Sequence, residues 1–209
     1  MTPSPPNPFP GVHRHVLKAS SAIHRIHDAR FDANAFNPGI GSRTRFAPLR
    51  PATGTPIPHL YGAHGYECAA HETVFHEIQY DAVHKAVAKS KIDPLMLSSL
   101  RLRRDLSLAS LFQPDLHAWR IERSQLIDTF ATAYADTVEW ALAIHAAHRV
   151  DGLIWTSRRC DPATALILFG DRVSPDDFDV LSSDRITASN DLLDQLLQFG
   201  ARADITITL

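Results

Sequence analysis

The sequence predicts one α+β domain, a mixed and largely antiparallel sheet flanked by helices. Three observations carry this. A chain of 209 residues is the right length for one domain with a sizeable buried core. Its apolar residues switch between the alternation of strands and the three-to-four spacing of helices. The strand-like and helix-like runs follow one another without a repeating βαβ unit, which argues against a doubly wound parallel sheet. An apolar share of 44% and a charged share of 21% are those of a globular chain.

In chain order, residues 1–16 are expected to be a proline-rich flexible tail and residues 17–209 the folded domain. Five of the first ten residues are proline, which restricts the backbone and removes amide donors. Ser21 to His27 alternates as a first strand with Arg25 at or near its end. Phe36 to Pro58, crowded with glycine and proline, is an irregular wall carrying Arg43 and Arg45. Ile57 to Tyr61 reads as a short strand. Gly65 then precedes a helix from Tyr66 to about Gln79, with Ala70, Val74 and Ile78 as its core stripe. Glu72 and His76 share another face, well away from Val74. Leu95 to Leu111 reads as extended. Phe130 to Ala147 is an amphipathic helix with Phe130, Tyr134, Val138, Ala141 and Leu142 on its apolar side. Gly152 to Trp155 and Ala165 to Phe169 are short buried strands, and Ser157 sits at the mouth of the first. Phe178 to Ile186 is a further strand. A helix around Leu192 to Leu197 is ended by Gly200, and Ile205 to Leu209 alternates as a terminal strand.

Charge and cysteine content exclude several functions. With 21 Lys plus Arg against 23 Asp plus Glu, the chain has no basic field with which to bind nucleic acid directly. Two cysteines, Cys68 and Cys160, form neither a CxxC pair nor a disulfide framework. No run approaches the length of a membrane helix, and the first residues lack the basic start and apolar run of a signal peptide. The expected location is the cytoplasm.

Familiar catalytic motifs are also missing. In His71-Glu72-Thr73-Val74-Phe75-His76 the histidines are five apart, so they diverge by about 140° on a helix and cannot share one zinc. Glu72 and His76 have no third partner for a metal, and none is expected. Trp155-Thr156-Ser157-Arg158-Arg159 lacks the G-x-S-x-G elbow of the α/β-hydrolases. Neither G-x-G-x-x-G nor G-x-x-x-x-G-K-[ST] occurs, so any nucleotide would be held by side chains.

What remains is a set of lone polar residues on separate apolar elements. They are arginines at 25, 43 and 45, Tyr61 in L-Y-G-A, Glu72 in A-A-H-E and Ser157 in W-T-S. In this pattern the chain resembles the RES-domain toxins, named for an arginine, a glutamate and a serine, from about Ser21 to Val173. The resemblance implies a fold similar to that of ADP-ribosyltransferases. It also implies NAD as the consumed substrate and an Xre-like helix-turn-helix antitoxin as partner. The family arginine corresponds to Arg25 and to Arg43 or Arg45.

The implied chemistry suits these residues. Breaking the nicotinamide–ribose bond develops an oxocarbenium-like cation, which a fixed carboxylate at Glu72 would stabilise while holding the ribose 2′-hydroxyl. Arg25 and Arg45, with Arg43 in reserve, offer planar forks for the pyrophosphate. Tyr61 offers a ring and a hydroxyl, and Ser157 a hydrogen bond to substrate. Expected acceptors of ADP-ribose are phosphate, water or a target protein. The competing reading is a noncatalytic module that acts only by binding a protein partner.

Overall fold

The computed structural model describes every residue except Thr53, Tyr80 and Leu209. The strands are β1 (Arg14–Leu17), β2 (Ala22–Asp28), β3 (His59–Ala63), β4 (Ala86–Ala88), β5 (Leu95–Leu102), β6 (Leu106–Ser110), β7 (Gly152–Thr156), β8 (Thr164–Phe169), β9 (Phe178–Arg185) and β10 (Thr206–Thr208). The α-helices are α1 (Tyr66–Thr73), α2 (Lys89–Ile92), α3 (Gln113–Ala118), α4 (Arg123–Leu126), α5 (Tyr134–Ala147) and α6 (Asn190–Arg202). The class is α+β, as expected.

Eight strands form one sheet in the order β1-β6-β7-β8-β3-β2-β5-β9, while β4 and β10 make a separate parallel pair. Within the large sheet only β6 and β7 run parallel, and the crossover between them carries α3, α4 and α5. β7 and β8 are central and buried on both faces. Leu153, Trp155, Ile167 and Phe169 join the core on the helix side. Ile154, Leu166 and Leu168 join the opposite core, with Ala33, Val173 and Phe178. Burial on both faces is why these strands read as continuous apolar runs instead of alternating.

One seam of the sheet is weak. β2 pairs with β5 along its whole length, Ala22 with Arg101 through Asp28 with Leu95. Against β3 it makes a single antiparallel register pair, His24 with Ala63. The two strands therefore part beyond that point, and α1 lies across the gap.

Several expectations need correction. Arg25 is fourth of the seven residues of β2, in its middle and not at its end. The strand expected from Ile57 runs His59–Ala63, and Ile57 makes only an isolated bridge to Leu49. α1 stops at Thr73, six residues short of Gln79. In the turn that follows, the carbonyls of His76 and Ile78 accept from the Arg159 guanidinium at 2.7 and 2.5 Å. The turn so formed buries Phe75, in place of Val74, beside Ala70. Phe130 precedes α5, is 63% exposed, and lies beneath the Arg158 guanidinium. Gly200 does not end α6, which continues to Arg202. The terminal strand is Thr206–Thr208, and Leu209 lies outside the described residues.

Packed structure also begins well before Leu17. β1 pairs with β6 from Arg14 onward. Ahead of it, the Thr2 hydroxyl donates to the Gln125 carbonyl at 2.6 Å, and the Trp140 indole donates to the Pro3 carbonyl at 2.7 Å. Phe9 sits edge-on among Trp119, Trp140 and His148. A proline-rich segment exposes its carbonyls because it has few amides of its own to pair them with, and these buried indoles need acceptors.

Candidate active site

A cavity of about 780 Å³ opens where β2 and β3 part. Its inner wall is His24, Arg25 and Ile26 of β2, Tyr61, Gly62 and Ala63 of β3, and Trp155 of β7. Glu72 and Thr73 close one side from α1, and Thr44 and Arg45 enter from the irregular segment before β3. The outer wall is the chain after α1, from Val74 and His76 to β4.

Glu72 is the most constrained group. Its Oε1 accepts from the Ser157 hydroxyl at 2.6 Å, and its Oε2 lies 3.9 Å from the Arg45 guanidinium. The side chains of Arg45 and Glu72 are only 7% and 16% exposed, so the two charges face each other with little water between. α1 can place Glu72 here because Gly65, at φ +89°, turns the chain sharply from β3 into the helix. Ser157 is fully buried. Its oxygen accepts from the backbone N–H groups of Arg159 and Cys160 at 3.1 and 3.0 Å. With both amides donating to it, the hydroxyl hydrogen is left to point at Glu72. Ser157 thus acts on the carboxylate and does not reach the cavity surface, contrary to the expected direct contact with substrate.

Tyr61 presents its ring to the cavity. Its hydroxyl shares a hydrogen bond with the Thr44 hydroxyl at 2.9 Å and accepts from the Phe46 N–H at 3.1 Å. Burial pushes the phenol up to about 12. The hydroxyl expected to meet substrate is therefore engaged in fastening the loop that carries Arg45, and Thr137 donates to the Arg45 carbonyl from α5. The ring stands edge-on to Trp155, with centroids 6.4 Å apart.

Arg25 donates through one terminal nitrogen to the carbonyls of Ala33 and Ala35, at 3.0 and 2.8 Å, and burial lowers its guanidinium to about 10. Among the described residues, the buried Nε atoms of Arg25 and Arg45 have no protein partner. Arg43 is exposed and outside the cavity lining. Arg25, Arg45, Tyr61 and Glu72 are thus brought together, Ser157 stands behind Glu72, and Arg43 is not part of the set. Arg159 and Thr44 were missed as site-building residues. The Arg158-Arg159 pair after Ser157 was the available signal for the first, while nothing local marks the second. His76 lines the cavity with Nε2 3.2 Å from the Tyr134 hydroxyl, and burial lowers its pKa. Among the described residues no cluster of three or more His, Cys, Asp or Glu side chains is placed to hold a metal. No helix among them is long and apolar enough to cross a membrane.

Comparison with known proteins adds the family. A search of curated proteins found no significant match. Among solved structures, the fold is similar to a chain of the Mycobacterium tuberculosis MbcT-MbcA toxin–antitoxin complex. That match has a TM-score of 0.61 at 18% identity, covering 87% of this chain and 91% of the other. The RES domain model matches residues 22–188, which include every residue of the cavity described above. With most of its length matched in this way, the chain belongs to the RES domain family.

Proposed function

We propose that this chain is an NAD-consuming toxin, restrained by a cognate antitoxin, that cleaves the nicotinamide–ribose bond and passes ADP-ribose to an acceptor. The observation that carries the reading is the Glu72 carboxylate, held at 2.6 Å by Ser157 and faced by Arg45 in the wall of a cavity of about 780 Å³. That volume is within the range of ordinary small-molecule sites.

In the reaction the C1′–N bond breaks and its electron pair neutralises the nicotinamide nitrogen, so no proton need be supplied to the leaving group. The ribose becomes an oxocarbenium ion, and a negative oxygen already fixed beside it lowers the barrier without reorganising. Glu72 holds that oxygen in place and accepts from the ribose 2′-hydroxyl. An acceptor oxygen then bonds to C1′ and loses its proton to solvent. Arg45 and Arg25, both in the cavity lining, meet the pyrophosphate. The Tyr61 ring, with Trp155 standing edge-on to it, gives nicotinamide an apolar wall. Phosphate and water are acceptors that deplete NAD; a protein acceptor makes the enzyme a mono-ADP-ribosyltransferase.

A partner is proposed on the likeness to a chain from a toxin–antitoxin complex. It is an Xre-like helix-turn-helix antitoxin that covers the cavity mouth and supplies any DNA contact of the pair. The decisive experiment incubates the purified chain with NAD, with and without phosphate and cell extract. Nicotinamide release with ADP-ribose or its 1″-phosphate supports depletion, and label on a protein band supports transfer. No nicotinamide release, with growth inhibition unchanged in Glu72→Gln, overturns the enzymatic reading in favour of a noncatalytic binding module.

A further inference from the structure

The family match ends at residue 188, yet the chain continues into α6 and β10, and each packs on an element that lines the cavity, α1 and β4 respectively. α6 packs on the outer side of α1. The Tyr66 hydroxyl donates to the Leu192 carbonyl at 3.0 Å, Tyr66 stands edge-on to Phe199 at 5.2 Å, and Arg202 pairs with Glu67 at 2.8 Å. Glu67 and Glu72 belong to the same eight-residue helix, so α6 braces the element that carries the candidate catalytic carboxylate.

β10 acts on the other side. β4 supplies Ala86, Val87 and Ala88 to the outer cavity wall, and its strand partner is β10, register Thr206 with Ala86 through Thr208 with Ala88. The Thr206 N–H also donates to the Lys85 carbonyl at 2.9 Å. An isolated three-residue strand has too few contacts to hold its shape in water. Further fastenings of this wall, ahead of β4, are the Arg159 fork on His76 and Ile78 and the hydrogen bond between His76 and the Tyr134 hydroxyl. β10 is set in position by the turn after α6, where the Ile205 N–H donates to the Gly200 carbonyl at 2.8 Å and Asp204 adopts φ +57°. That turn closes tightly, because a Cβ on Gly200 would lie 2.9 Å from the Ile205 carbonyl oxygen.

We propose that the α6–β10 unit is a positioning element for the cavity: it holds the outer wall in the shape that retains the dinucleotide and does not take part in bond cleavage. Substrate retention by this chain then depends on residues outside the family match, whereas the groups around the scissile bond lie within it. The inference rests on the proposed NAD reaction for its substrate, but the wall itself can be tested without that reaction.

Two variants displace β10 by different routes. Gly200→Ala drives a methyl group against the Ile205 carbonyl, and Ile207→Asp puts a charge into the β4–β10 pair. Trypsin reports on the wall directly, since the bond after Lys85 has its carbonyl engaged by Thr206. The expected result in both full-length variants is at least about tenfold faster cleavage at Lys85, as for a segment whose local opening has become easier. The same variants should raise KM for NAD about tenfold with kcat within roughly twofold, the pattern of lost uniform binding. Unchanged cleavage at Lys85 in both folded variants, checked by circular dichroism, overturns the proposal. So does a fall in kcat at constant KM. If the wild-type chain releases no nicotinamide, the NAD reading fails alone and the cleavage arm still decides the role of β10. If Gly200→Ala does not fold, Ile207→Asp carries the test.

Discussion

The two walls of the cavity are built from different materials. The inner wall is sheet backed by core: Tyr61 has β8 beside it, Trp155 is buried, and Glu72 is fixed by a buried serine whose oxygen takes two backbone amides. The outer wall is a connection, fastened at its start by the Arg159 fork and the His76–Tyr134 hydrogen bond and at its end by a three-residue strand pair. On the proposed reaction, the rigid parts surround the bond to be broken, and the more weakly held parts form the outer side of the cavity that receives substrate. A site that must fix charge geometry yet admit a large ligand gains from this division, since preorganisation matters most where charge develops.

The sharpest way to break the comparison is Glu72→Gln. The amide keeps the shape and can still bond to Ser157, but it removes the negative charge. Nicotinamide release should fall by about 10² to 10³ with KM little changed, as for loss of one preorganised group in a transition state. A drop of less than about tenfold would mean that the charge of Glu72 is not what the inner wall is built to hold.

Ser157→Ala comes next. It leaves the carboxylate but takes away its donor, and it strands the amides of Arg159 and Cys160 in a buried turn. About 1 to 3 kcal/mol of stability should be lost in urea unfolding. Activity should fall by roughly 10-fold to 100-fold, less than in Glu72→Gln. Equal losses in the two variants would make Ser157 a direct participant and not a support.

The same division explains what the sequence disclosed. β7, β8 and α5 were legible because burial on both faces of the sheet gives unbroken apolar runs, and burial along one helix face gives an apolar period, neither of which needs knowledge of partners. The end of α1 was not, because the turn that follows it is held by Arg159, more than eighty residues away, through the carbonyls of His76 and Ile78. For the same reason the Tyr61 hydroxyl was assigned to substrate: its partners Thr44 and Phe46 sit in a segment whose path has no period to read. Glu72 and Ser157 were recognised through family likeness, but their 2.6 Å contact spans 85 positions and belongs to the fold. The packing of the N-terminal residues was hidden because proline content suggests a free tail, whereas their carbonyls serve as acceptors for the buried Trp140 and the half-buried Trp119.

Arg159→Ala tests the outer wall at its other fastening. The carbonyls of His76 and Ile78 lose a charged donor but lie near solvent, so water replaces part of the interaction. KM should rise roughly fivefold, equivalent to about 1 kcal/mol of binding, with kcat nearly unchanged. A kcat effect as large as that of Ser157→Ala would instead show that Arg159 acts through the turn it shares with Ser157, joining the two walls.

The smallest effect, and the one that separates the walls without mutation, is pH. Burial holds His59, next to Tyr61, down at about 4, and it likewise lowers His24, His27 and His64 on the sheet. These imidazoles take up protons at lower pH in the folded chain than in the unfolded chain, where they titrate near their ordinary 6.5. A folded-state pKa below the unfolded one makes the unfolded state bind more protons, so stability is full above about 6.5 and is lost as pH falls toward about 4. Urea midpoints measured from pH 7.5 to 5 should therefore decline, and a flat profile would mean these histidines are hydrated in solution. Over the same range the Lys85 carbonyl keeps its bond from the Thr206 N–H, which does not titrate. Cleavage at Lys85, compared at equal protease activity, should stay constant while the midpoint falls. If cleavage accelerates in step with the loss of stability, the outer wall opens only when the whole sheet does, and the two walls are one cooperative unit.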